Sequence, residues 1–158
     1  MTEGRKHSYA IDMVWTGAED GPAKDYRGYS REHRFTAPGK PVLQGSADPA
    51  FRGDASLYNP EELLLAALSG CHMLWYLHLC TANKITVIGY EDHADGVMTE
   101  APGAGRFVEA TLHPTVTIGA GDDAALAASL HEQAHKECFI ANSVNFPVRC
   151  EPSIRATD

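Results

Sequence analysis

The stretch NPEELLLAALSGCHMLWYLHLC, residues 59–80, constrains the fold more than any other. Asn59 is a favoured N-cap and Pro60 a favoured first helical residue. Glu61 and Glu62 fall in the first turn, where the helix dipole favours carboxylates. From Leu63 to Cys80 the residues are apolar nearly all round, the mark of a buried helix rather than a surface one. About 20 residues span roughly 30 Å. One small domain has difficulty covering such a helix on every side, so the pattern predicts a partner subunit that completes the cover.

The remaining totals bound the class. At 158 residues the expectation is one domain, residues 1–158, with a core that needs no staples. A formal net charge of -8 argues against nonspecific nucleic-acid binding, which needs a basic face. No uninterrupted apolar run reaches the roughly 18 residues of a spanning helix, and residues 1–13 lack the apolar core of a secretory signal. The expectation is a cytoplasmic protein with neither membrane nor nucleic acid as partner. Four cysteines without a C-x-x-C pair fit neither a disulfide framework nor a zinc ribbon. In a reducing compartment each is either inert and buried or chemically used.

Along the chain, Tyr9, Ile11, Met13 and Trp15 alternate as one face of a half-buried strand. YSREHRF reads as a second, more polar strand, and residues 39–58 as a long loop with a short strand at Val42–Gln44. After the long helix, ITVIGYEDHADGVM reads as a strand with a bend near Ala94–Gly96. Val108, Ala110, Leu112, Val116 and Ile118 alternate in another strand that Pro114 breaks. A second helix is capped near Asp122, with an apolar stripe of Leu126, Leu130, Ala134 and Cys138. The last strand alternates Val144, Phe146, Val148 and Cys150. Two main helices among strands in this order define an α+β fold with antiparallel sheet, not a doubly wound one.

Several constellations compete for chemistry. Cys80 and Cys150 read as packing residues, since free cysteine is among the most buried types. Cys71, taken alone, reads the same way. Cys138 differs, because it closes an amphipathic, exposed helix and the chain turns at once in FIANS. His131, His135 and Cys138 share one helical face and offer metal-ligand spacing, but no fourth ligand is evident. Ser69 lacks the G-x-S-x-G elbow of a hydrolase nucleophile. His72 and His78 lie on different helical faces, so no Cys–His dyad forms within the first helix.

NPEELLLAALSGC, followed 67 positions after its cysteine by HKECFIANS, resembles the OsmC/Ohr family of thiol peroxidases, and the order of elements resembles it along the whole chain. The resemblance implies an OsmC-like intertwined homodimer, with long central helices packed together and active sites at the subunit interface. It implies that Cys71 is the peroxidatic thiol and Cys138 the resolving thiol. It also implies that Glu61 works with an arginine near the reactive sulfur. Phe139 stands where the family pattern has proline after the second cysteine.

Glu61 and Cys71 are ten residues, or about 15 Å, apart along one helix. They cannot touch within it, so Glu61 is expected to serve the Cys71 of the other subunit unless the helix breaks. Only a thiolate attacks a peroxide, and the dipole of a distant helix N-terminus helps little. A cation is therefore needed. The candidates are Arg27, Arg31, Arg34 and Arg52, with Arg31 preferred because YSREH as a strand points it inward. The leading expectation is reduction of organic hydroperoxides through a Cys71 sulfenic acid and a Cys71–Cys138 disulfide, reset by a dithiol reductant of the lipoyl type. Leu68, Met73 and Trp75 favour an alkyl substrate. No metal and no organic cofactor is expected. The alternatives are a non-catalytic dimer of the same fold that binds a small apolar or electrophilic ligand and, more weakly, a metal-binding protein.

Overall fold

The structure, a computed structural model, describes residues 4–157. It forms two compact units that divide between Leu63 and Leu64.

The N-terminal unit is built on three antiparallel strands in sequential order, β1 (Asp12–Trp15), β2 (His33–Thr36) and β3 (Leu43–Gly45). β1 is shorter than the alternation of residues 9–15 predicts. Tyr9 and Ile11 precede it, and Tyr9, Ile11 and Met13 are largely exposed, so the expected half-buried face is uncovered among the described residues. Trp15 is the anchored member of the series. Its indole N–H donates to the Ser30 carbonyl at 2.8 Å, and its ring meets Tyr29 edge-on. The loop after β3 is fixed by Gly53, where a Cβ would lie 1.6 Å from the Ala47 carbonyl oxygen. Only glycine fits so close a backbone approach.

Helix α1 runs unbroken from Pro60 to Ala82. Asn59 and Glu62 cap it reciprocally. The Asn59 side chain accepts from the Glu62 N–H at 2.8 Å, and Glu62 accepts from the Asn59 N–H at 3.1 Å. This capping box satisfies two of the otherwise orphaned donors. Leu68, His72, Tyr76, Leu79 and Cys80 form the buried stripe, at the spacing of one helical face. Leu74, Ala66 and Ala67 lie exposed, so the helix is covered on one side and not all round. By length and composition alone α1 is apolar enough to cross a membrane. Its buried stripe instead packs against the strands and second helix of the C-terminal unit, as a core helix does.

That unit contains two three-stranded sheets. In one, β4 (Val87–Asp92) pairs antiparallel with β7 (Pro114–Ile118), and β7 pairs parallel with β9 (Ser153–Ala156). In the other, β5 (Asp95–Thr99) pairs antiparallel with β6 (Arg106–Leu112), and β6 pairs parallel with β8 (Val148–Cys150). The predicted bend near Ala94 and the break at Pro114 are thus the points at which the chain changes sheet. The expected antiparallel sheet is mixed, because β8 and β9 each join on the parallel side.

Helix α2 (Ala124–Glu137) is capped by Asp123, one residue beyond the expected position, whose carboxylate accepts from the N–H groups of Ala125 and Leu126 at 2.9 Å each. Its buried face is Ala127, Leu130, His131 and Ala134. Compared with the predicted stripe, His131 is fully buried and Leu126 is only partly so. One core cluster joins Tyr76, Leu79 and Cys80 of α1 to Val116, Ile118, Leu130 and Ala134. A second joins Leu68 to Ala110 and Leu112, flanked by Ile140, Val144, Phe146 and Val148. The α+β class and the two helices agree with the sequence reading.

Candidate active site

Cys71 lies in the middle of α1 and is half-buried. Cys138 lies at the C-cap of α2 and is buried, 1% exposed, rather than on an exposed helix end. Two helices far apart in sequence bring these thiols near enough for Cys71 to act on the titration of Cys138. The FIANS segment performs the local work. After Cys138 the chain leaves the helix into a 3-10 turn, Ala141–Ser143. The Ala141 N–H then points at the Cys138 sulfur at 3.4 Å, and the Asn142 side chain donates to the Lys136 carbonyl at 2.9 Å, closing the helix end. The Ser143 hydroxyl bonds the Phe139 carbonyl at 2.7 Å.

Burial pushes the Cys138 thiol up to about 11, and the Cys71 thiol beside it adds to the shift, while the Ala141 and Ile140 N–H groups oppose it. Cys138 is therefore held as a neutral thiol. Phe139, 68% exposed, stacks edge-on against Trp75 at 5.4 Å. Trp75 also lines a shallow apolar depression with Leu74 and His78. Of the three apolar residues expected near Cys71, Leu68 is not available to a substrate. It is fully buried against Ala110 and Leu112.

Glu61 and Arg31 belong to the N-terminal unit. Glu61 is half-buried in the first turn of α1, and since α1 is unbroken, no helix break brings it back to Cys71. The carboxylate that caps the helix is Glu62, which leaves Glu61 outside the capping box. Arg31 precedes β2 instead of lying in a strand. Its guanidinium donates to the carbonyls of Tyr26 and Tyr29 and stands over both rings, 3.7 Å from the Tyr29 centroid and 4.9 Å from that of Tyr26. Such a clamp fixes the orientation of the arginine. Arg27, Arg34 and Arg52 are exposed.

Sequence reasoning separated three residues that the fold joins. His72 Nε2 lies 2.9 Å from His131 Nδ1, and the Cys150 sulfur lies 3.5 Å from the first and 3.9 Å from the second. Tyr76 stacks on His131 at 3.7 Å. Burial pushes His72 down to about 4 and His131 down to about 3, so both imidazoles are neutral at neutral pH. Burial pushes Cys150 up to about 12. The expected alignment of His131, His135 and Cys138 is thus divided, with His131 turned toward His72 and Cys138 toward Cys71. The available signal was His72 itself, a polar residue at a core position between Leu68 and Tyr76.

A half-buried thiol and a buried one thus lie on two helices of an α+β fold. The family model described as OsmC-like protein matches residues 53–153, and the chain belongs to that family. The fold is similar to that of an OsmC-like protein of unknown function from Vibrio cholerae, with 28% identity over 93% of this chain and 99% of that one and a TM-score of 0.85. It is also similar to an organic hydroperoxide resistance protein OsmC from Legionella pneumophila (21% identity, 94% and 98% coverage, TM-score 0.65). The organic hydroperoxide resistance protein OhrB of Bacillus subtilis shares it too (16% identity, 93% and 98% coverage, TM-score 0.61). No curated protein matches the sequence significantly.

Proposed function

We propose that this protein is a thiol-dependent peroxidase that reduces organic hydroperoxides. What supports the proposal is the proximity of Cys71 and Cys138, two free thiols 67 positions apart, close enough for Cys71 to raise the Cys138 pKa. The Cys71 thiolate attacks one peroxide oxygen, the O–O bond breaks, and the alkoxide leaves as the alcohol after taking up a proton. Cys71 becomes a sulfenic acid. Cys138 attacks that sulfur, its proton goes to the departing oxygen, and a disulfide and water result. A dithiol reductant, of the lipoyl type by family resemblance, then exchanges its two thiols for the disulfide.

Arg31 is the proposed cation and Glu61 its proposed carboxylate partner, contributed across a homodimer to Cys71 of the other subunit. The uncovered side of α1, with Leu74 at 65% exposure, supports an assembly in which that helix is covered by a second copy. Trp75, Leu74 and Phe139 offer an apolar surface that suits an alkyl group better than hydrogen peroxide. The proposed setting is the cytoplasm, where a dithiol pool keeps the pair reduced.

A non-catalytic, ligand-binding dimer is the second reading. It draws on the Arg31 guanidinium, which is already satisfied by two tyrosine carbonyls. Consumption of an alkyl hydroperoxide with a dithiol reductant separates the two. The peroxidase reading expects turnover in the wild type, none in Cys71→Ser, and in Cys138→Ser a single equivalent followed by arrest or slow reduction. Equal rates in all three would end it.

A further inference from the structure

His72, His131 and Cys150 come from three separate elements, α1, α2 and β8, and converge inside the C-terminal unit. His72 is 1% exposed and His131 2% exposed. Their ligand atoms, His72 Nε2, His131 Nδ1 and Cys150 Sγ, all lie within 4.8 Å of one another. Around a tetrahedral zinc-class ion, bonds of about 2.0–2.1 Å to nitrogen and 2.3 Å to sulfur place the ligand atoms roughly 3.3–3.7 Å apart. The observed separations of 2.9, 3.5 and 3.9 Å bracket that range, so an ion fits with adjustments of a few tenths of an ångström.

The two imidazoles and the thiol hydrogen-bond with one another through the three atoms that face inward. His72 Nδ1 and His131 Nε2 have no partner among the described residues. Buried polar groups left in that state cost stability, and apolar side chains would pack the same space without that cost. A cation replaces the mutual contacts of the other three atoms by engaging them all at once, while His72 Nδ1 and His131 Nε2 keep their protons. A cavity of about 250 Å³ lies directly against the cluster, lined by His131, Cys150, His135 and Glu132 among others. It leaves room for a fourth ligand, as in sites with three protein donors and one open position.

We propose that His72, His131 and Cys150 form a binding site for a divalent metal ion of the zinc class. Both histidines bind as neutral imidazoles, with their remaining protons on His72 Nδ1 and His131 Nε2. The Cys150 thiol exchanges its proton for the metal, so one proton is released to solvent per ion bound. The site is separate from the thiol pair but joined to it through the helices. His72 follows Cys71 on α1, and His131 lies two turns before Cys138 on α2. A bound ion ties together α1 and α2, which carry Cys71 and Cys138, and β8. The inference is independent of the peroxidase reading.

Titration of metal-free, reduced protein with Co²⁺ under anaerobic conditions tests it. The expected result is one Co²⁺ per chain with a thiolate-to-cobalt charge-transfer band in the near ultraviolet, displaced by Zn²⁺. Cys150→Ser should lose the band, and His131→Asn should weaken binding by at least about tenfold. Cys71→Ser and Cys138→Ser should keep both band and stoichiometry. X-ray absorption at the zinc edge of the wild type needs no variant and should show one sulfur and two imidazole nitrogens. Absence of binding, a band lost in Cys71→Ser but kept in Cys150→Ser, or a shell of two sulfurs would overturn the proposal.

Discussion

Joining Cys71 to Cys138 as a disulfide should stabilise the chain by about 4 kcal/mol. The bond closes a loop of roughly 68 residues, and the chain-entropy relation for a loop of that length gives this value at 25 °C. The native cost of closing it is small only if the sulfurs already face each other; that Cys71 raises the Cys138 pKa puts the two thiols in each other's neighbourhood. Urea denaturation at fixed chain concentration reads the effect. With a denaturant slope of about 2 kcal/mol per molar, the oxidised midpoint should lie roughly 2 M above the reduced one. Cys138→Ser treated with the same oxidant should show no shift. An oxidised protein with the bond in place and an unchanged or lower midpoint would refute the reasoning. It would mean that the backbone must distort to let the sulfurs meet, which stores strain in the native state.

Three further outcomes follow from the same structure. Cys138 is neutral well above neutral pH, with its thiol pushed up to about 11, so its thiolate fraction rises tenfold for each pH unit below that value. Disulfide formation after a single hydroperoxide pulse, followed through Trp75 fluorescence in stopped flow, should therefore accelerate about tenfold per unit between pH 7 and 9; a flat profile contradicts this. Leu68→Ala removes a fully buried side chain between Ala110 and Leu112 and should cost about 2–5 kcal/mol in denaturant midpoint analysis. Asp123→Ala leaves the N–H groups of Ala125 and Leu126 without their shared acceptor and should cost about 1 kcal/mol, with Asp123→Asn recovering most of it.

Local chemistry made much of this structure legible in the sequence. Asn59, Pro60 and the two glutamates announce the start of α1, and Pro114 marks a strand break that proves to be a change of sheet. The position of Cys138 was harder. Amphipathic periodicity places it at an open helix end, but the turn through Ala141 and Asn142 folds back over its sulfur and buries it. Arg31 does not join β2, because its guanidinium is taken by the Tyr26 and Tyr29 carbonyls and rings. Long-range packing was the least legible. Nothing in the local pattern around Cys150 states that β8 will add parallel to β6 at Val148–Cys150 and bring its thiol to His72, 78 positions away.

Peptide mapping of the reduced protein after one equivalent of an alkyl hydroperoxide tests the proposed chemistry most directly. One equivalent of alcohol per chain should appear, and the cross-linked peptides should join Cys71 to Cys138 within one chain, with Cys80 and Cys150 still free. A bond that involves Cys150 or Cys80, or loss of hydroperoxide with Cys138 unmodified, would contradict the assignment of the two thiols.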